Sequence, residues 1–265
     1  MTLHKTLNIQ EITPAQHHHF LAQQEAASFL QNPLWPKTKP AWRSQSIGWW
    51  DNDELVAASL VLYRPIPVPG LRGRSLAYIA DGPVFDPETV ALESLLEPLV
   101  PYARAQGAFL IRMGLPFVLR RWEAEDVRKA LSANEHNLIP DLRPAESHVT
   151  AWSMEDTLTR LGWEKPELTE DFGSGQAQFQ ARIPLPELTP EQRADRESPE
   201  FVQAVEDVLM RMDSTSRRQT RKSTRSDLTI SSGGRAEMSK WQALYEETAQ
   251  RDDFTGRPQW YFEAM

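Results

Sequence analysis

The amino-acid sequence predicts an α/β (α+β) fold with mixed, mostly antiparallel sheets, divided into two domains. Three observations carry that expectation. Short β-rich runs bounded by Asp, Asn, Gly and Pro alternate with helical patterns through residues 1 to about 140. A polar stretch from Asn137 to His148, interrupted by Pro140 and Pro144, then reads as linker or surface loop. Beyond it helix, strand, helix, strand and helix recur in looser form, so the expected domains are residues 1–145 and 150–265.

Each element has a local reason. Pro14 to Leu30 reads as a helix, with Thr13 as N-cap, Pro14 at the first helical position, and Phe20, Leu21, Ala27 and Leu30 on roughly one face. Asn32-Pro33 marks a boundary and opens a connector that carries Trp35, Lys39 and Trp42. The bland reading of that connector is core-edge tryptophans and a solvated lysine. Ser46 to Trp50 and Leu55 to Tyr63 flank the turn Asp51-Asn52-Asp53 and form a hairpin. The second arm is almost wholly apolar, as a strand covered on both faces requires. Pro65, Pro67 and Pro69 interrupt regular structure before a strand over Ser75 to Ala80, which stops at Asp81-Gly82-Pro83. A helix over Leu92 to Ala105, a strand at Phe109 to Met113 and a helix over Leu119 to Leu131 complete the first domain.

The second half opens with a short helix over Ser153 to Leu161, followed by Gly162-Trp163. Gln176 to Ile183 alternates in polarity and is expected to be a strand. Phe201 to Met212 is amphipathic, with Phe201, Val205, Val208 and Leu209 on one side. Leu228 to Ile230 reads as a strand, Gly233-Gly234 as a turn and Met238 to Arg251 as a helix. The chain then ends on aromatic residues without further strands, so the second domain is expected to be incomplete at its C-terminus.

Composition narrows the chemistry. The 265 residues are 40% hydrophobic and 25% charged, which describes a globular chain. No run approaches the length of a spanning helix and the N-terminus lacks a signal-type apolar core, so a cytoplasmic location is expected. With no cysteine, thiol nucleophiles, thiolate metal sites and disulfides are excluded. Neither a Gly-x-x-x-x-Gly-Lys phosphate loop, a Gly-x-Ser-x-Gly elbow nor a His-Glu-x-x-His helix occurs. His17-His18-His19 cannot converge on one ion, because consecutive helical residues point about 100° apart. His136 and His148 are two scattered imidazoles without a carboxylate motif, so no metal site is expected.

One stretch stands apart. Arg217, Arg218, Arg221, Lys222 and Arg225 crowd into nine residues of a chain whose net charge is -8. Cations at spacings of three and four line one side of a helix and suit an anionic partner, while Thr215 and Ser216 offer hydroxyls at its start. An ordinary solvated helix paired with Asp and Glu is the competing interpretation.

Five groups of residues, taken in order, resemble the FemABX family of non-ribosomal peptidyl transferases. They are Phe29-Leu30-Gln31 with Trp35 and Lys39; Gly82-Pro83-Val84; Leu161-Gly162-Trp163; Arg218 to Ser223; and Thr248, Arg251, Phe254, Arg257, Tyr261 and Met265. The resemblance implies two GNAT-like domains. It also implies an aminoacyltransferase that joins an amino acid from aminoacyl-tRNA to the stem-peptide amine of lipid II or UDP-MurNAc-pentapeptide, building interpeptide bridges. By the same resemblance Lys39, Thr215, Arg217 or Arg218, and Tyr261 contact the precursor's phosphates and peptide, with Arg221 beside them. No cofactor beyond the tRNA co-substrate is implied, catalytic residues stay unassigned, and a monomer with peripheral contact to the inner membrane face is expected. Two positions depart from the family: Met113-Gly114-Leu115-Pro116 stands where an Asp-Pro is usual, and Asp81 stands where a basic residue is usual. Two alternatives remain open at this level. One is a GNAT-type acetyltransferase using acetyl-CoA, although its Gln/Arg-x-x-Gly-x-Gly/Ala loop is not found; the other is a non-catalytic precursor-binding relative or fragment.

Overall fold

The computed structural model describes residues 5–25, 27–68, 70, 73–133, 139–166, 177–227, 229 and 231–265. The chain divides into two compact units, Met1–Gln176 together with Trp260–Met265, and Ala177–Gln259.

The first unit is built on a hairpin of β2 (Arg43–Asp51) and β3 (Glu54–Pro65), paired antiparallel from Arg43↔Tyr63 to Asp51↔Glu54 with a bulge at Trp49/Trp50. Its turn places Asn52 at φ 53, a left-handed conformation that asparagine tolerates. β1 (Asn8–Glu11) adds antiparallel to β2, and β4 (Ser75–Ile79) adds antiparallel to the far side of β3. β5 (Val84–Phe85) also pairs with β3, while β6 (Ala108–Met113) lies parallel to β4. A parallel neighbour needs a crossover, which α2 (Leu92–Ala105) supplies. Among the described residues the sheet order is β1-β2-β3-β4-β6, mixed and mostly antiparallel as the sequence predicts.

β3 is apolar because both of its faces are covered. Ala57, Val61 and Tyr63 join Trp49, Leu95, Leu96 and Leu99 in the main core, and Ala58 joins Ile12, Phe20 and Val84 on the other side. Trp49 is fully buried and still satisfies its indole, which donates to Leu95 O at 3.0 Å.

Several boundaries differ from the sequence expectation. The first helix, α1 (Pro14–Ala22), carries the expected Thr13 cap as a reciprocal capping box with Gln16, yet it stops well short of Leu30. Phe29–Gln31 and Trp35–Thr38 are separate single 3-10 turns, the first capped by Ser28. The helix expected from Leu119 begins later, as α3 (Ala124–Ala133). The preceding β7 (Arg120–Arg121) pairs antiparallel with β8 (Glu146–Ser147), inside the stretch read as a loop. α4 (Val149–Arg160) ends at Gly162, whose φ of 79 lets the chain reverse so that Trp163 N donates to Leu158 O at 2.9 Å. Trp163 then packs on the main core, which accounts for the Leu161-Gly162-Trp163 group.

In the second unit the described elements are helices: α5 (Pro190–Ala194), α6 (Pro199–Arg211), α7 (Ser214–Ser223) and α8 (Met238–Arg251). The strand expected over Gln176 to Ile183 is a correction. Gln176 lies outside the described residues, and Ala177–Ile183 runs without a sheet partner among the described residues, so its alternating pattern has no neighbour there to pair with. Leu228 and Ile230, from the other expected strand, lie outside the described residues. Ala204, Gln242 and Ala249 are the buried side chains described in this unit, while Val202, Met210 and Leu244 are exposed.

Candidate functional site

Two groups of side chains are the candidates, one in each unit. In the first, Lys39 follows the Trp35–Thr38 turn, which is closed by Lys39 N donating to Pro36 O at 2.8 Å and Thr38 Oγ1 donating to Trp35 O at 2.8 Å. That turn aims the ammonium between two rings: Lys39 Nζ lies 5.9 Å from the Trp42 ring centre and 5.6 Å from that of Tyr261. Tyr261 sits on α9 (Gln259–Ala264), so residues more than two hundred positions apart in the sequence meet at this lysine. Trp35 meets Tyr261 edge-on at 6.5 Å, and Phe29 meets Trp35 at 5.1 Å. A second cation, Arg64, lies 5.7 Å from Trp42, which also meets Tyr78 at 6.3 Å. Lys39, Trp42, Tyr78 and Tyr261 are all half-buried. Partial removal from water strengthens the pull of Lys39 on an anion, and the aromatic faces hold both cations in place, Arg64 remaining exposed.

Lys39 and Tyr261, each expected to contact the precursor, are thus brought together. Trp35 and Trp42, read from sequence as core-edge residues, form the wall of the site. Arg64 and Tyr78 were missed. Their signal is cross-strand: Arg64 pairs with Leu76 and Leu62 with Tyr78, so Arg64 and Tyr78 are diagonal neighbours on one face of β3 and β4.

The segment bearing Lys39 is anchored from below. Gln31 is fully buried; its amide donates to Ala80 O and its carbonyl accepts from Leu60 N at 2.8 Å. A methyl group added at Gly82 would lie 2.6 Å from Gln31 Nε2, so only glycine leaves room for that amide. Ser28 Oγ donates to Asp81 Oδ2 at 2.7 Å, and Asp81 adopts φ 50. The Phe29-Leu30-Gln31 and Gly82-Pro83-Val84 groups are therefore two halves of one joint, and Asp81, where a basic residue is usual, is the acceptor that pins Ser28.

In the second unit α7 carries the basic stretch. Ser214, Arg217, Arg218, Arg221, Lys222 and Arg225 line an open depression of about 440 Å³. At about 100° per residue Arg218 and Arg221 project within one sector of the helix, with Arg217 and Lys222 on its flanks and Thr215 at its margin, while Arg225 lies just past the helix end. Asp213 caps the helix, accepting from Thr215 N at 2.8 Å and Ser216 N at 3.0 Å. The helix start is therefore already occupied by a carboxylate, and the cations stand along the side of α7. Arg221 is paired to Glu206 of α6 at 2.5 Å, and Arg217 points its guanidinium at Met210 Sδ, 3.1 Å away. Arg218, Lys222 and Arg225 have no ion-pair partner among the described residues. Of the two adjacent arginines that sequence could not separate, neither has an ion-pair partner among the described residues; Arg217 lies against Met210 and both line the depression.

His17 of the triple-histidine run is fully buried and shares a 2.9 Å hydrogen bond through Nδ1 with Ser46 Oγ, whereas His18 and His19 face solvent. Among the described residues no group of three or more His, Asp or Glu could hold a metal ion. No described helix is long and apolar enough to cross a membrane.

Comparison with known proteins bears on this arrangement. A family model described as the FemAB family matches residues 12–265. The Lipid II:glycine glycyltransferase of Staphylococcus saprophyticus subsp. saprophyticus is 31% identical over 106 residues, 38% of this chain and 25% of that protein. The crystal structure of FemX superposes with a TM-score of 0.60 at 20% identity, covering 97% of this chain and 53% of FemX, which shows a shared fold. The chain thus matches about half the length of FemX and a quarter of the glycyltransferase.

Proposed function

The chain belongs to the FemAB family, and we propose that it is an aminoacyltransferase that moves an amino acid from aminoacyl-tRNA onto the stem-peptide amine of a peptidoglycan precursor, lipid II or UDP-MurNAc-pentapeptide. The observation that carries this reading is the meeting of Lys39 with Tyr261 between Trp35 and Trp42, a half-buried cationic and aromatic site assembled from residues far apart in the chain. In the first unit Lys39 suits a precursor phosphate and Tyr261 and Trp42 suit the flanking apolar groups; in the second, Arg217, Arg218 and Arg221 are by themselves suited to an anionic group. Thr215 follows Ser214, which lines the α7 depression, and offers a hydroxyl to an anion held there. The relative that acts on lipid II supports a lipid-linked precursor.

The reaction is aminolysis of an ester. The precursor amine adds to the aminoacyl carbonyl carbon, the tetrahedral oxyanion collapses, the C–O bond to the tRNA ribose breaks, and the nitrogen's proton leaves with the ribose hydroxyl. An aminoacyl ester is already activated, so positioning of the two substrates and stabilisation of the oxyanion supply the acceleration without a side-chain nucleophile. That accords with a chain that has no cysteine. The reading puts the protein in the cytoplasm as a monomer that touches the inner membrane face peripherally and needs no cofactor beyond the tRNA.

Titration with UDP-MurNAc-pentapeptide tests the binding half of the reading. Reversing charge at Arg217 and Arg218 should weaken precursor binding tenfold or more, since a hydrogen bond to a charged group contributes roughly 1.5–3 kcal/mol. Unchanged affinity in that variant would return α7 to an ordinary solvated helix. Transfer of a labelled amino acid from charged tRNA then separates an enzyme from a precursor-binding protein.

A further inference from the structure

After α8 the chain folds back along the helix it has just left. Asp253 takes φ 53, the left-handed position that glycine usually fills, and Phe254 N donates to Ala249 O at 3.0 Å to close the helix end. The returning segment is pinned at two points. Arg257 N donates to Tyr245 Oη at 3.1 Å, and Gln242 Nε2 donates to Arg257 O at 3.3 Å and to Glu246 Oε1 at 2.8 Å. Gly256 permits this approach, since a methyl group added there would lie 3.0 Å from Tyr245 Cε1. Helix and segment together enclose a depression of about 420 Å³, with the buried Gln242 at its base and the exposed Glu246, Asp253 and Phe254 around it.

This depression holds acceptors that nothing in the chain satisfies. Gln242 is 8% exposed, and its carbonyl oxygen is buried without a hydrogen-bond partner. The amide cannot be turned to relieve it, because both groups at its nitrogen are acceptors and a flip would set oxygen against oxygen. A buried acceptor left unmade costs free energy that an arriving donor recovers. Glu246 and Asp253 add two carboxylates with no ion-pair partner among the described residues, and Arg257 is the single cation in the lining, so the depression is net negative. Two carboxylates fall short of a metal centre, and no group of three or more metal-binding side chains occurs among the described residues. A guanidinium would pair its planar fork with one carboxylate, whereas an amide oxygen and two separate carboxylates match three N–H donors on one nitrogen. We propose that this depression binds a primary alkylammonium group, with Gln242 Oε1, Glu246 and Asp253 accepting from its nitrogen and Phe254 lying against its alkyl chain. The site uses none of the side chains assigned above to the precursor and does not rest on the proposed function.

The test titrates the isotope-labelled full chain with n-butylammonium chloride and follows the backbone amide shifts of Asp253 and Gly256. Saturable shifts are expected. Tetramethylammonium chloride, which keeps the charge without N–H donors, and n-butanol, which keeps the chain without the charge, should not reproduce them. Asp253→Asn should weaken the amine about threefold and Asp253→Asn/Glu246→Gln about tenfold, as befits charge pairs near the surface. Both positions are exposed, so helix content by circular dichroism should match the wild type. Gln242→Met, similar in length but without the carbonyl, should weaken the amine about tenfold. Tighter binding of N-acetyllysine amide than of butylammonium would assign the amine to a peptide, and equal binding would assign it to a free amine; either supports the site. Unchanged affinity in the double variant would overturn the inference, as would equal binding of tetramethylammonium. So would an absence of saturable shifts in the wild type, which would leave Gln242 to a water molecule alone.

Discussion

At the scale of single residues, burial decides what a side chain can do. His17 is fully buried against Ser46 of the hairpin, and loss of water followed by the nearby His18 holds its imidazole at about 4, well below the ordinary 6.5. The unfolded chain therefore binds a proton that the folded chain refuses between these values, so stability falls as pH is lowered from about 6.5 to about 4. The loss attributable to this residue is about 3 kcal/mol, and it should be absent in His17→Gln. Urea unfolding at pH 7 and pH 4.5 checks this: an equal drop in wild type and variant would remove His17 as the cause. Gln31 shows the opposite use of burial, an amide whose polar atoms are both satisfied by backbone so that it can lock Ser28 to Lys39 onto the end of β4.

At the scale of elements, α7 shows how a cap and a cationic face share one short helix. Asp213 holds two amides at the N-terminus, and its charge opposes an anion arriving at the adjacent cations. Asparagine caps about as well as aspartate, so Asp213→Asn should leave helix content unchanged. The same change removes one exposed negative charge, and precursor affinity should rise about twofold at low salt, with the gain shrinking as salt is added. Calorimetric titration at two ionic strengths measures this, and weaker binding in the variant would mean that Asp213 serves the ligand directly. The two 3-10 turns before β2 make a related point. A continued helix to Leu30 would have kept Gln31 on a regular helical path; the break after Ala22 is what lets it turn inward.

At the scale of the molecule, the two units differ in how much they bury. The first is built around a strand covered on both faces, whereas the described part of the second buries few side chains. Amide exchange should therefore be slowest in β2 and β3 and faster by orders of magnitude in α6 and α7, as followed by mass spectrometry. Protection in α7 equal to that of β3 would contradict it. Sequence alone determined the features that need only local chemistry. Examples are the Thr13 cap, the hairpin around Asn52, the two-sided apolar run of β3, the helices at Leu92 and Met238, and the concentration of cations in α7. Pairs as short as β5, β7 and β8 escaped because two residues show no period. The expected strand at Ala177–Ile183 misled because alternation describes a strand's surface without providing its neighbour. Only the tertiary structure decided that Gln31 fills the space over Gly82, that Glu206 takes Arg221 while Arg218 stays open, and that Lys39 meets Tyr261. Each of these depends on residues distant in sequence arriving at one place, which is a property of pairing and burial and leaves no mark in any local pattern.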